Sequence, residues 1–197
     1  MSEGKAKEDI LRYATNQYGN YLARNHQAGT DEIIKGIDLF EKIYTEKLNV
    51  PFSQKKGNYF EFIETAKFNQ QAANAGATIR AQTTHAAGRP HDPADVEFLI
   101  GKKIVDKAQL KASDAASYDS DAYMAFINAQ DKYKDMERVV PKDHFQRVHE
   151  LTQKRADSNG IYKDAYKNSS ENMTDQLTDR VTGKHIRSGG TTTKELE

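Results

Sequence analysis

The chain has 197 residues, with 29 Lys+Arg against 29 Asp+Glu and no cysteine. Zero formal net charge and a mean hydropathy of −0.86 exclude a nucleic-acid coat held by its overall field, an acidic solvating tail protein and a disulfide scaffold. No apolar run approaches the ~18 residues that cross a bilayer; Lys5, Lys7, Glu8 and Asp9 occupy the place of a signal peptide's apolar stretch. The expectation is a cytoplasmic protein with no membrane partner, built as one domain with an extension or as two small domains.

Ile10, Leu11, Tyr13, Ala14, Tyr18, Tyr21 and Leu22 recur at helical spacing and predict a first helix. His26 to Thr30 reads as a break containing Gly29. Thr30 then suits an N-cap, because Asp31 and Glu32 follow where the helix dipole favours anions. Ile33, Ile34, Ile37, Phe40, Ile43, Tyr44 and Leu48 form the next apolar stripe, so the first fifty residues predict a helical hairpin. Asn49-Val50-Pro51 ends it, since the residue before proline is pushed out of helical geometry. From Gly57 a third helix carries Tyr59, Phe60, Phe62, Ile63, Ala66 and Phe68 and stops near Ala75-Gly76. Ala77 to Thr84 reads as a strand and Ala86 to Pro93 as a loop. Asp95 to Ile100 is a second strand, Gly101-Lys102 a turn, and Lys103 to Lys111 a third strand, which together make a hairpin. Tyr123, Tyr133, Met136, Val139 and Val140 are assigned to a core-covering helix and its exit. Lys134, Arg138, Lys142 and Arg147 interleave with acids there as a mixed solvated face. Pro141 opens a helix through Leu151. From Asp157 onward Ser, Asn, Thr and Gly dominate, and Ser188 to Thr191 reads as mobile.

Three positions on this framework carry chemistry. On a strand, residues i and i+2 share a face, so Gln109 and Lys111 project together while Leu110 points the other way. Pairing of the hairpin sets Asp95 beside them. A carboxylate and an amide oxygen suit a hard cation such as Mg²⁺ or Mn²⁺, which keeps several waters. A lysine next to them can orient or help deprotonate a water on the cation and stabilise charge developing on a phosphate. Glu61, or Glu64 one turn later, can complete the shell from the preceding helix. The spacing is compatible with metal-assisted phosphodiester hydrolysis. His85 and His91 flank the Gly88-Arg89-Pro90 loop without a third ligand of metal spacing. His144 and His149 lie off the spacing of a helical metal pair.

Gly57-Asn58-Tyr59-Phe60-Glu61 on a helix, Asp95 on a strand and Gln109-Leu110-Lys111 ending the next strand resemble the PD-(D/E)XK nuclease superfamily, within it the Mrr-like restriction endonucleases. The resemblance covers about residues 57 to 113. It implies Asp95 and Gln109 as metal ligands, Lys111 as catalytic and Glu61 as support. Asp92 competes with Asp95, Glu64 with Glu61, and His91 is a secondary candidate for touching the scissile phosphate. The fold class that follows is α/β, a small mixed β-sheet flanked by helices (a restriction-endonuclease-like core) with an N-terminal helical hairpin. The division expected is 1–50 as hairpin extension, 51–156 as the nuclease-like domain and 157–197 as a polar, partly disordered tail. The function expected is Mg²⁺-dependent cleavage of DNA in a restriction, mobile-element or toxin context, with a homodimer and a regulatory or immunity protein as candidate partners. The alternative is a non-catalytic binding or scaffold protein that retains the fold.

Overall fold

A computed structural model describes residues 27–46, 52–112, 132–158 and 160–196. The predicted first helix, Tyr123 and the loop at Asn49 to Pro51 lie outside these residues. Helices α1 (Gln27–Glu46) and α2 (Phe52–Asn74) precede strands β1 (Ile79–Thr83), β2 (Val96–Ile100) and β3 (Lys103–Leu110). Strand β4 (Glu137–Val139), helices α3 (Lys142–Ala156) and α4 (Lys163–Glu171), strand β5 (Met173–Thr174) and a 3-10 turn at Thr193–Leu196 follow. The five strands form one mixed sheet in sequence order. β1, β2 and β3 run antiparallel as a meander, and β4 and β5 add parallel to β3.

Strand alternation sorts the side chains. Ile79, Ala81, Val96, Phe98, Ala108, Leu110 and Val139 share one face, and α2 seals it with Phe60 and Phe68. Phe68 meets Phe98 edge-on at 5.0 Å between ring centroids. That cluster is buried and supplies the bulk of the apolar burial that stabilises the chain. The opposite face carries Glu97, Lys107, Gln109 and Arg138; α3 packs at its β4–β5 end through Val148 with Tyr133, Val140 and Met173, and α4 packs on α3 through Ala165 and Tyr166. The mixed sheet between helices agrees with the expected α/β class.

Several boundaries differ from the sequence reading. α1 begins at Gln27, so Gly29 and Thr30 lie inside the helix rather than at its cap. Tertiary packing outweighs the glycine there. α1 pairs antiparallel with α2: Phe40 packs on Tyr59 at 5.1 Å, and an added Cβ on Gly36 would meet the Ala66 Cβ at 3.1 Å. α2 starts at Phe52, before Gly57. Gly76 ends the helix region in the left-handed conformation, at φ +57°. Val139 lies in a strand and Val140 just after it, not in a helix, because two β-branched residues favour extended backbone.

The largest correction concerns residues 157–197, expected as a partly disordered tail. α4 forms there, and Leu177, Ile186 and Leu196 enter the central core with 0 to 4% exposure. The stretch Ser188 to Thr191 is clasped rather than mobile. Glu64 of α2, with 0% exposure, accepts hydrogen bonds from Ser188 Oγ, from Thr191 Oγ1 at 2.5 Å and from the Leu177 N–H at 3.3 Å. Lys67 Nζ donates to the Gly190 carbonyl at 2.8 Å and to Glu195 at 2.9 Å. Gly190 is required where it sits, since an added Cβ would approach the Asp175 carbonyl oxygen to 2.8 Å. Hydroxyls and glycines that read as disorder are here the means of docking a segment onto buried carboxylates.

Candidate functional site

The end of the sheet where β1 finishes, β2 begins and β3 finishes is organised around Asp95. Its backbone is held on both sides. The Asp95 N–H donates to the Ala108 carbonyl at 3.0 Å, and its own carbonyl accepts from the Thr84 N–H at 2.9 Å. The loop leading into it is fixed by an ion-pair network over the sheet. Arg89 forks onto Glu97, which is 1% exposed, and also reaches Asp92 at 3.0 Å. Lys107 Nζ lies 3.5 Å from Glu97 on the neighbouring strand.

The Asp95 side chain then meets the end of β3. Its Oδ2 accepts from the Gln109 amide nitrogen and from the Leu110 N–H at 2.8 Å. Burial pushes the Asp95 carboxyl above its ordinary range; the positive charge of Lys111, the Leu110 N–H, the Gln109 amide and the charge of Lys132 pull it back. Lys111 continues from β3 with its N–H on the Val139 carbonyl at 3.0 Å, which ties it to β4. Asp95, Gln109 and Lys111 therefore occupy one neighbourhood, two of them in direct hydrogen-bond contact and the third acting on Asp95 through its charge.

The competing positions separate. Asp92 caps its own turn, accepting from the Ala94 N–H at 3.0 Å while pairing with Arg89. Glu64 is spent on the C-terminal segment, on the α2 side of the sheet, and burial raises its carboxyl above the usual range. Glu61 is partly buried on α2, one residue before Phe62, whose ring meets His85 edge-on at 6.4 Å beyond the end of β1. His91 is exposed in the loop. His149 stacks on Phe145 at 5.4 Å and pairs with Ser170 Oγ at 3.1 Å, so it packs α3 against α4.

Two further residues emerge only in three dimensions. Tyr133 is buried close enough to Asp95 for that carboxylate to act on its hydroxyl, whose pKa burial already raises. Arg138, placed by sequence on a solvated face, is fully buried in β4 directly across from Gln109. Its Nη2 donates to Asn168 Oδ1 at 2.7 Å and to the Tyr133 carbonyl at 3.2 Å. Burial lowers its guanidinium to about 10. The flanking run Val139-Val140 was the signal that position 138 belongs to an interior strand. Beside the site opens a cleft of about 390 Å³, lined by Lys107, Lys132, Lys134, Asp106, Asp135 and Met136 among others. Asp106 is engaged there by Arg180 at 2.8 and 2.5 Å, which leaves lysines to dominate the lining charge.

Among the described residues no group of three or more His, Cys, Asp and Glu side chains gathers as a metal site. The donors that could hold a hard cation are the Asp95 carboxylate and the Gln109 amide oxygen. Gln109 Oε1 is buried and has no hydrogen-bond partner, an unsatisfied oxygen of the kind such a cation takes. Mg²⁺ is bound through few protein oxygens and keeps its waters, so the Asp95 carboxylate would suit it with the Gln109 oxygen turned toward that carboxylate; in this structure the Gln109 nitrogen faces Asp95. No protein-family model, no curated protein and no solved structure matches the chain.

Proposed function

We propose that this protein is a Mg²⁺-dependent endonuclease that hydrolyses DNA phosphodiester bonds, with Mn²⁺ as a substitute cation. The observation that carries the reading is the contact of Asp95 with Gln109 at the ends of adjacent strands, with the charge of Lys111 acting on Asp95. The order helix, Asp-bearing strand, Gln-x-Lys strand is that of a restriction-endonuclease-like core, and the meander of β1 to β3 behind α2 supports it.

In this reading Asp95 and the Gln109 amide oxygen hold the cation, which when bound polarises the phosphodiester and lowers the pKa of a coordinated water. Asp95 must be ionised to do so. Lys111 places its positive charge beside the scissile phosphate, offsetting the negative charge that grows on the phosphoryl oxygens, and is positioned to direct the attacking water. Glu61 supports the arrangement from α2. Lys107, Lys132 and Lys134 in the adjoining cleft provide a path for the phosphate backbone, where ion-pairing releases counterions and makes binding salt-dependent. A homodimer would present two such sites to two strands.

One observation favours a second reading, a DNA-binding or scaffold protein without catalysis: it is the nitrogen, not the oxygen, of Gln109 that faces Asp95. Relaxation of supercoiled plasmid in Mg²⁺ separates the two. The nuclease reading expects nicking by the wild type that disappears in Asp95→Ala. Nicking that survives in Asp95→Ala contradicts the site, and DNA binding without nicking establishes the second reading.

A further inference from the structure

At the β1 edge of the sheet a second cavity, of about 170 Å³, opens between α1, α2 and β1 and shares no lining residue with the lysine-lined cleft. Leu39, Phe62 and Ala66 form its apolar wall, and Gly36 lets α1 approach α2 there. Glu32 and Lys35, the charged residues of the lining, pair with each other at 3.0 Å, so the lining is neutral. Drug-sized ligands occupy ~300 Å³ or more, which limits the occupant here to single-ring size. Among the described residues, two polar groups on the walls have no partner. Thr65 of α2 is 5% exposed, and its Oγ1 is buried without a hydrogen bond. A helical threonine ordinarily returns that hydroxyl to the preceding turn. Thr45 donates to the Glu41 carbonyl and Thr152 to the Val148 carbonyl, both at 2.8 Å; Thr65 makes no such bond. The other group belongs to β1, an edge strand. The Thr84 N–H goes inward to the Asp95 carbonyl at 2.9 Å, so the backbone groups of Thr83 and Ala81 point outward. Asn69 covers both groups of Ala81, at 2.7 and 2.9 Å, and the Thr83 carbonyl accepts from the Ala87 N–H at 3.1 Å. The Thr83 N–H is left over.

We propose that this cavity binds a pyrimidine base, carried by a free nucleoside or turned out of a nucleic-acid strand. A base such as thymine is neutral, is one ring in size, and presents a carbonyl beside a ring N–H along one edge. The carbonyl accepts from the Thr83 N–H and the ring N–H donates to Thr65 Oγ1, which supplies both partners that the fold leaves out. The rest of the ring lies against Phe62, Leu39 and Ala66. A charged ligand is disfavoured, because the lining holds no free countercharge to replace its hydration. Burying an unpaired hydroxyl costs free energy that the ligand recovers on binding. The site uses neither Asp95 nor a cation, so it stands apart from the catalytic reading above.

Calorimetric titration of the full chain with thymidine, in EDTA, tests this beside Thr65→Val and Ala86→Phe. Valine keeps the shape of threonine and removes only the hydroxyl. The wild type is expected to bind thymidine, and Thr65→Val to bind it about tenfold more weakly. Ala86→Phe is expected to bind none, since Ala86 is exposed at the cavity and a ring there fills it from outside. Because the hydroxyl is unpaired in the free protein, Thr65→Val is also expected to melt at an unchanged or higher temperature. A lower melting temperature with unchanged affinity makes the hydroxyl a structural group and overturns the site. A wild type that binds no thymidine and no short oligothymidylate overturns it too, and leaves water as the occupant. The oligothymidylate, titrated in parallel, separates the two sources. Binding tighter than thymidine and equally sensitive to Thr65→Val marks a base turned out of a strand; weaker binding marks a free nucleoside. Neither titration reads cleavage, so a failure here spares the nuclease reading and a failure of that reading spares this site.

Discussion

At the scale of single residues, the account assigns opposite consequences to two glutamates one helical turn apart. Glu64 accepts three hydrogen bonds from the C-terminal segment and is inaccessible to solvent, so its removal strands buried donors. Glu64→Ala is expected to lose roughly 3 kcal/mol of folding stability in urea unfolding. Glu61→Gln is expected to leave the unfolding curve in place and reduce DNA cleavage. A common loss of stability in both would contradict the division of roles. Asp95 carries a pH signature as well. Its carboxyl is raised by burial, and a proton competes with the cation for it, so Mn²⁺ affinity should fall as pH drops through that raised value. An affinity that is flat in acid would remove Asp95 from the ligand set. The alternation rule was enough to put Gln109 and Lys111 on one face and Asp95 beside them, which is why these three were legible in the sequence. Arg138 was not, because a charged residue with 0% exposure is the rare case, and its neighbours Glu137 and Asp135 made the stretch look solvated.

Among the elements, the loop between β1 and β2 determines how firmly Asp95 is presented. Arg89 holds this loop to the sheet through Glu97, a carboxylate with 1% exposure that its own strand leaves without an equally close cation. Arg89→Ala is expected to lower the melting temperature and weaken Mn²⁺ binding together, with Arg89→Lys recovering part of both, since lysine restores the charge but not the fork. Unchanged Mn²⁺ binding in Arg89→Ala would show that the loop is irrelevant to the site. The hairpin of β2 and β3 was readable from Gly101 and the flanking alternation, and α2 from its aromatic positions. α4 and β5 were not. Tyr166, Ala165 and Met173 are too few to mark a period, and they become buried only by packing on α3 and β4.

For the whole molecule, the C-terminal forty residues are part of the fold and not an appendage. The last turn is docked twice, by Thr193 on Asp143 of α3 and by Lys67 of α2 on Glu195. A chain ending at Thr174 is therefore expected to lack a cooperative unfolding transition, having lost Leu177, Ile186 and Leu196 from the core. The same docking makes stability depend on pH. Glu137 is buried against Thr178, and desolvation pushes its carboxyl up to about 7 from an ordinary 4.5. The unfolded chain releases this proton near 4.5 and the folded chain holds it to about 7. The contribution is thus full below the lower value and is lost as pH rises through the upper one, by at most roughly 3 kcal/mol at ~1.4 kcal/mol per unit. The difference in unfolding free energy between wild type and Glu137→Gln should decline between those limits. A difference that rises with pH would reverse the assignment. This segment escaped the sequence reading because Leu177, Ile186 and Leu196 are widely spaced among Ser, Thr and Gly, and the carboxylates that receive those hydroxyls lie a hundred residues away in α2 or forty away in β4. The balanced charge, 29 against 29, survives as a property of the sum. Locally Lys107, Lys132 and Lys134 line the cleft with Asp135 and an Asp106 already engaged by Arg180. Single-turnover cleavage of an end-labelled DNA duplex across a Mg²⁺ titration, wild type beside Lys111→Ala, decides whether this site cuts DNA. The account predicts strand breaks that saturate with Mg²⁺ and vanish in EDTA, slowed at least about a hundredfold in the variant. Cleavage that is indifferent to Mg²⁺, or equally fast in Lys111→Ala, would contradict it.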